Sequence, residues 1–277
     1  MDAIWYSCRA MNHGRDAVVL CCLAAAMLGG CGENRGTILI LADTPVWHPA
    51  AVTSWQLQLT GTVDTTPDVQ MFDIDLFDVD TSVVSTLRQK GAKVVCNISA
   101  GSFEDWRTDA ANFPGSVLGN THGSPGERWL DIRALDVLGP IMKARLELCR
   151  SKGFDGVGVD NVDGHANATG FPLTAADQLA YNRFLAMEGH ARGLSIGLWN
   201  DLGQAVDLLG DFDWMLDEQC FEYNECNRLQ PFVDAGKAVF HVEFNLETTA
   251  FCPQANALNF NSMKKNMSLD AARWPCR

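Results

Sequence analysis

The sequence predicts a single (β/α)8 TIM barrel, and three observations carry that reading. Strand-like runs alternate with helix-like ones from Trp47 onward, a pattern that calls for a parallel sheet. Eight such strands fit into about 230 residues, the usual length of one barrel. Polar and acidic residues gather where those runs end, and barrels collect their functional side chains at the carboxyl ends of their strands.

The first strand is expected over Trp55–Leu59. The second, Val69–Ile74, runs into Asp73, Asp75 and Asp78, and the amphipathic stretch Ser82–Lys90 follows it as a helix. Val94–Ile98 gives a third strand ending on Asn97 and Ser99, with a helix expected over Leu135–Ser151. The glycine-rich segment from Gly153 to Gly164 supplies the fourth. Its small and β-branched residues Val157–Val159 suit a short buried strand, and it places Asp160, Asn161 and Asp163 where that strand stops. A helix over Ala175–Arg192 leads to Ser195–Trp199, which runs into Asn200 and Asp201. Another helix, Leu202–Leu209, precedes the sixth strand, Trp214–Leu216, with Asp217, Glu218 and Gln219 beyond it. Ala238–Val242 ends at His241 and Glu243, and Leu258–Phe260 is the expected eighth strand. Asp78, Asp80 and Asp201 each directly precede a helix-like stretch and are read as helix caps. No glycine-rich dinucleotide loop, Walker loop or Gly-x-Ser-x-Gly elbow occurs.

The first thirty residues stand outside this pattern. Arg9 and Arg15 precede an apolar run, Ala17 to Leu28, that stops at Leu28-Gly29-Gly30-Cys31. That run falls short of the ~20 residues a membrane-spanning helix needs and has the layout of an export signal. Small residues directly before a cysteine resemble a bacterial lipobox. The expected division is therefore a signal over residues 1–30, a lipid-bearing Cys31, a tether over 31–46 and a barrel over 47–277. The mature chain would be exported and sit in the cell envelope as a lipoprotein, or be secreted, touching membrane only through its lipid.

Ten cysteines, less Cys8, Cys21, Cys22 and Cys31, leave Cys96, Cys149, Cys220, Cys226, Cys252 and Cys276. An even number in an exported chain favours disulfides, although six cysteines permit fifteen pairings. Local spacing puts Cys220–Cys226 first and Cys252–Cys276 next, with Cys96–Cys149 left over. No Cys-x-x-Cys pair or histidine cluster marks a metal site, and His190 and His241 stand alone as structural residues. The net charge of −13 repels nucleic acid and attracts cations.

Two carboxylates held across a small gap are the usual equipment for cleaving a glycosidic bond: one stays protonated for the leaving oxygen, the other ionised. Asp160 and Glu218, ending the fourth and sixth strands, could face each other across a sugar. Trp199, Tyr223 and Trp106 could supply flat faces for sugar rings.

At this point the motifs resemble a known family. They are Trp55-Gln-Leu-Gln-Leu, Phe72-Asp-Ile-Asp-Leu-Phe-Asp78, Lys93-Val-Val-Cys-Asn-Ile-Ser99 and the Asp160-Asn-Val-Asp163 segment. Asp217-Glu-Gln-Cys-Phe-Glu-Tyr-Asn-Glu-Cys226, Lys237-Ala-Val-Phe-His-Val-Glu243 and the Cys252…Cys276 tail follow in the same order. Together they resemble glycoside hydrolase family 114, the endo-α-1,4-polygalactosaminidase family. The resemblance implies a cofactor-free barrel cutting α-1,4-linked galactosamine polymers, with Asp160 as nucleophile or base and Glu218 as general acid/base. Asp73, Asp75, Asn97, Asn161, Asp163, Trp199, Tyr223 and Glu243 are the substrate-contact candidates. A deacetylated galactosamine polymer is cationic, so an acidic bowl would attract it. Retention of configuration is favoured, and a monomer is expected. The rival readings are a glycosidase for another α-linked glycan and a carbohydrate-binding lipoprotein that does no chemistry.

Overall fold

The structure is a computed structural model that describes residues 46–277. The export signal, the lipid-bearing Cys31 and nearly all of the tether lie outside the described residues. In chain order the first six strands are β1 (Trp55–Gln58), β2 (Met71–Asp75), β3 (Lys93–Ser99), β4 (Ser102–Glu104), β5 (Leu118–Thr121) and β6 (Glu127–Leu130). Then come β7 (Gly156–Asp160), β8 (Ser195–Trp199), β9 (Trp214–Glu218), β10 (Ala238–Glu243), β11 (Asn261–Lys265) and β12 (Arg273–Pro275). The α-helices are α1 (Thr81–Gln89), α2 (Leu135–Lys152), α3 (Ala175–His190), α4 (Ala205–Leu208), α5 (Gln230–Asp234) and α6 (Thr248–Ala257).

Eight strands, β1-β2-β3-β7-β8-β9-β10-β11, run parallel in one sheet, and β12 joins its far edge antiparallel to β11. The expected barrel is present, with three departures. No helix joins β1 to β2. The eighth strand begins at Asn261, because Leu258 caps α6 and Asn259 turns the chain through a left-handed conformation (φ 63°). Between β3 and α2 the chain inserts a separate three-stranded antiparallel sheet, β4-β6-β5. Its short strands carry polar residues and lack the apolar run that marks a buried parallel strand.

The barrel strands are buried on both faces, and their alternation sorts side chains into two layers. Outward-facing residues such as Phe72, Ile74, Val157, Val159, Ile196 and Leu198 pack against the helices. Inward-facing Trp55, Met71, Val95, Trp199, Trp214, Leu216, Phe240 and Met263 fill the barrel itself. Gly197 explains how Trp214 fits: a Cβ there would sit 2.2 Å from the indole ring. Gly158 lies under the same indole, 3.3 Å from where its Cβ would be.

The ring closes without a β1–β11 ladder. Trp55 Nε1 donates to the Asn261 carbonyl at 2.8 Å, the Arg273 guanidinium to the Trp55 carbonyl at 2.9 Å, and Leu59 N to the Leu269 carbonyl at 2.9 Å. Three disulfides, Cys96–Cys149, Cys220–Cys226 and Cys252–Cys276, match the expected pairings. The first ties β3 to α2, and the last ties α6 to the segment beyond β12. Among the described residues no helix is long and apolar enough to cross a membrane.

Candidate active site

Three neighbouring strands end in the same way. After Asp160, Trp199 and Glu218 the next residues, Asn161 (φ 59°), Asn200 (φ 55°) and Gln219 (φ 67°), take left-handed backbone conformations, as does Asp201 (φ 44°). Each turns the chain sharply off the barrel rim, leaving the last strand side chain at the mouth. Asparagine and aspartate tolerate this conformation well, whereas Gln219 holds it at some cost, a form of strain that gathers at working sites.

Asp160 and Glu218 lie on inward-facing positions of β7 and β9, one strand apart. Both are partly exposed at the rim but densely surrounded. Burial pushes the Asp160 carboxyl well above the ordinary carboxylate range, and the nearby charges of Glu218, Asp163 and Glu127 push it further. The Asn161 backbone N–H, 2.6 Å from Asp160 Oδ1, pulls the other way. Burial also raises Glu218, against hydrogen bonding from Asn200. Asn200 grips Glu218 twice: its Oδ1 accepts the Glu218 backbone N–H at 3.1 Å and its Nδ2 reaches Oε2 at 3.4 Å. Two desolvated carboxyls that feel each other's charge cannot both ionise cheaply, so the pair retains a proton at pH values where an isolated acid has lost it.

A cleft of about 530 Å³ opens beside Glu218, lined among others by Asp163, His165, Asn200, Asp201, Asp217, Tyr223 and Arg228. Asp201 is buried. Its Oδ2 accepts from Asn182 at 2.9 Å, its Oδ1 has no partner, and burial with the Asp163 charge pushes its pKa up to about 8. Asp217 is also buried and raised well above the usual range, first by burial and then by Glu225, Glu218 and Glu243. The cleft therefore holds several carboxyls that an incoming cation would help to ionise.

The other candidates divide by what surrounds them. Asp73 and Asn97 point into the barrel below the rim, near Gly158, both Asp73 oxygens and Asn97 Nδ2 being buried without a partner. Asp75 is bound instead to Arg107, at 2.7 and 3.0 Å, and accepts the backbone N–H groups of Phe77 and Asp78. Trp199 is 1% exposed, so it is packing inside the barrel and no open platform for a sugar. Tyr223 is 65% exposed on the cleft wall and can stack. Glu243 shares the outward face of β10 with His241 and is fully buried. Its Oε1 takes N–H groups from Phe221 and, at 3.4 Å, Glu222, and contacts His241 Nε2. It holds the Cys220–Cys226 loop and does not reach the mouth.

The cap readings also change. Asp80 occupies the cap position of α1 without a side-chain cap bond, Asp78 pairs with Arg107, and Asp201 is the buried cleft acid just described. Asp217, Cys220 and His241 bring ligand-type atoms within 4.8 Å of one another, but the Cys220 sulfur is spent in its disulfide, so the trio is no metal site.

The sequence profile of glycoside-hydrolase family GH114 matches residues 37–277. The chain belongs to glycoside-hydrolase family GH114. The GH114 chain is similar to Aspergillus fumigatus Ega3, solved in complex with galactosamine, at 40% identity. That match covers 84% of this chain and 98% of that chain, with a TM-score of 0.80. The glycoside hydrolase domain of PelA from Pseudomonas aeruginosa is 12% identical, covers 79% of this chain and 97% of that chain, and shares the fold with a TM-score of 0.63. No curated protein matches.

In this GH114 glycosidase, sequence reasoning missed Asn200, Glu127 and the cleft face of Asp201. Asn200 carried a legible signal, since asparagine directly after a strand suits a left-handed turn. Glu127 carried none, because nothing in its surroundings announces a strand whose first side chain reaches the residue after β7.

Proposed function

We propose that this glycosidase is an exported enzyme that cleaves α-1,4-linked galactosamine and N-acetylgalactosamine polymers, with Asp160 as nucleophile and Glu218 as general acid/base. The observation that carries the reading is one interacting, desolvated carboxyl pair at the carboxyl mouth of the barrel, beside a cleft lined with further acids. The galactosamine bound to the similar Ega3 supports the sugar class.

The geometry suits the two roles. Asn200 holds Glu218 at its backbone N–H and at one carboxyl oxygen, which orients an acid that must meet a leaving oxygen. Asp160 is held up by burial and by three acidic neighbours. An ammonium group settling among Asp163, Glu127 and Asp160 would offset that repulsion and ionise Asp160, leaving the shared proton on Glu218. A cationic sugar thus prepares its own nucleophile. Attack of the Asp160 carboxylate on the anomeric carbon breaks the glycosidic bond as Glu218 protonates the departing oxygen. Water activated by Glu218 then releases the sugar with retained configuration. No cofactor enters these steps. Asp163 and Tyr223 contact the polymer, Asp73 and Asn97 polarise the floor, and the chain acts as a monomer. Lipid on Cys31 would anchor it to the envelope.

The test is an assay on deacetylated and acetylated galactosaminans, α-glucans and α-galactans, with products read by mass spectrometry and the first-formed anomer by proton NMR. Asp160→Asn and Glu218→Gln should each lower kcat at least 10³-fold with the fold intact, consistent with loss of an essential carboxylate. Full activity in either variant, or cleavage of α-glucans or α-galactans with neither galactosaminan cut, overturns the assignment.

A further inference from the structure

The inserted sheet closes over the residue that follows Asp160. Asn161 Nδ2 lies 2.9 Å from Ser99 Oγ, 3.2 Å from Ser102 Oγ and 3.3 Å from Glu127 Oε1. On the other side Asn161 Oδ1 lies 2.9 Å from His122 Nε2, and the His122 ring packs 4.0 Å from Trp129. An amide oxygen only accepts, so Nε2 must be the protonated nitrogen of His122. Glu127 is itself fixed, accepting Ser102 Oγ at 2.5 Å on Oε1 and the Ser124 N–H at 3.1 Å on Oε2. Every hydrogen-bonding atom of the Asn161 side chain is therefore engaged by β3, β4, β6 and the β5–β6 turn. The backbone is engaged too. Ala100 N and Gly101 N both donate to the Asp160 carbonyl, at 2.9 and 3.2 Å. A Cβ on Gly101 would lie 1.6 Å from the Asn161 carbonyl oxygen, so only glycine fits there.

We propose that the inserted sheet is a clamp for the catalytic carboxylate, in which Glu127, acting through Asn161, is a positioning residue for Asp160. The Asp160–Asn161 peptide is held at both ends of its plane: its carbonyl accepts from Ala100 N and Gly101 N, and its N–H turns back to Asp160 Oδ1, while Asn161 beyond it is left-handed (φ 59°). The side-chain grip from the inserted sheet anchors Asn161 and with it the far end of that peptide. Loosening it lets the Asp160 carboxyl rotate off the attack line, and a displacement of ~1 Å at a reacting group costs on the order of 10²-fold in rate. Glu127 also faces Asp160 with its charge, alongside Glu218 from β9 and Asp163 from the loop after β7. The clamp thus orients the nucleophile and contributes to its protonation at once.

The inference rests on Asp160 being the nucleophile, and a polarity-reversal experiment separates the two claims. In Asn161→Asp a carboxylate faces the Glu127 carboxylate, and kcat should fall about 10²-fold with KM within threefold of wild type. Adding Glu127→Gln restores one donor and one acceptor in reversed order at unchanged total charge. The double variant should recover at least tenfold in kcat over Asn161→Asp alone. Glu127→Gln by itself should move the acid limb of the pH–rate profile to lower pH, since it removes one of the charges that hold the Asp160 proton. If Asn161→Asp does not fold at assay temperature, Ser99→Ala/Ser102→Ala carries the same expectation of reduced kcat at preserved KM. A double variant no faster than Asn161→Asp, or an Asn161→Ala enzyme with wild-type kcat and pH profile, overturns the clamp while an inactive Asp160→Asn leaves the nucleophile standing. Full activity in Asp160→Asn removes the nucleophile assignment itself.

Discussion

Asn200 and Asp201 sit side by side at the end of β8 in the same left-handed conformation, yet one is satisfied and the other is not. Asp201 is a buried acid with one unpartnered oxygen, its pKa raised to about 8 by burial and by Asp163. A carboxyl whose folded pKa lies above its unfolded value of about 3.9 stabilises the fold fully below that value, and the contribution is lost as pH rises towards the folded pKa. Asp201→Asn should therefore raise Tm at pH 8 by several degrees and flatten the decline in Tm between pH 4 and 8, measured by differential scanning calorimetry. An unchanged pH slope would show that Asp201 does not carry this cost. At this scale the sequence was most informative where strand parity was unambiguous. Glu218 follows Trp214 and Leu216 on the inward face, so it reaches the mouth. Glu243 follows Val239 and His241 on the outward face, and Trp199 follows Ser195 and Gly197 on the inward face, where it is packed at 1% exposure. Counting acids near strand ends could not separate these cases, because alternate residues of a strand point to opposite faces.

The elements were legible in proportion to how apolar they are. Seven of the eight barrel strands were placed within a few residues, since buried parallel strands read as compact apolar runs. The eighth was misplaced because Leu258 and Phe260 are apolar for another reason: they pack the end of α6 against the barrel, while β11 carries Asn261, Ser262, Lys264 and Lys265. The inserted sheet left no periodic signal at all. Gly197 shows what an element demands of one position. Its Cβ would lie 2.2 to 2.3 Å from three atoms of the Trp214 ring, so Gly197→Ala must displace an indole from the barrel centre. We expect it to cost about 3 kcal/mol, the upper end of overpacking in a well-filled core, as read by urea denaturation. A stability within about 0.5 kcal/mol of wild type would mean that the interior can yield.

Across the whole molecule, 34 acidic residues stand against 21 basic ones, and the cleft concentrates the excess where a polymer would dock. If that field guides a cationic chain, kcat/KM on deacetylated galactosaminan should fall several-fold between 20 and 200 mM salt as screening shortens its reach. The same change should leave the acetylated polymer nearly unaffected, and equal salt sensitivity on both would show that charge steering is not used.

The way the ring closes has its own consequence. A barrel sealed by a complete ladder can open only by breaking a row of strand hydrogen bonds together. Here β1 and the residues just after it meet the last elements through separate fastenings: an indole, a side-chain amide, a guanidinium and a short backbone contact near Leu269. Such a join behaves as a clasp. Separate fastenings can release one at a time, so the line along which this fold would first open lies across the barrel from β7 and β9 and the carboxyls at their ends.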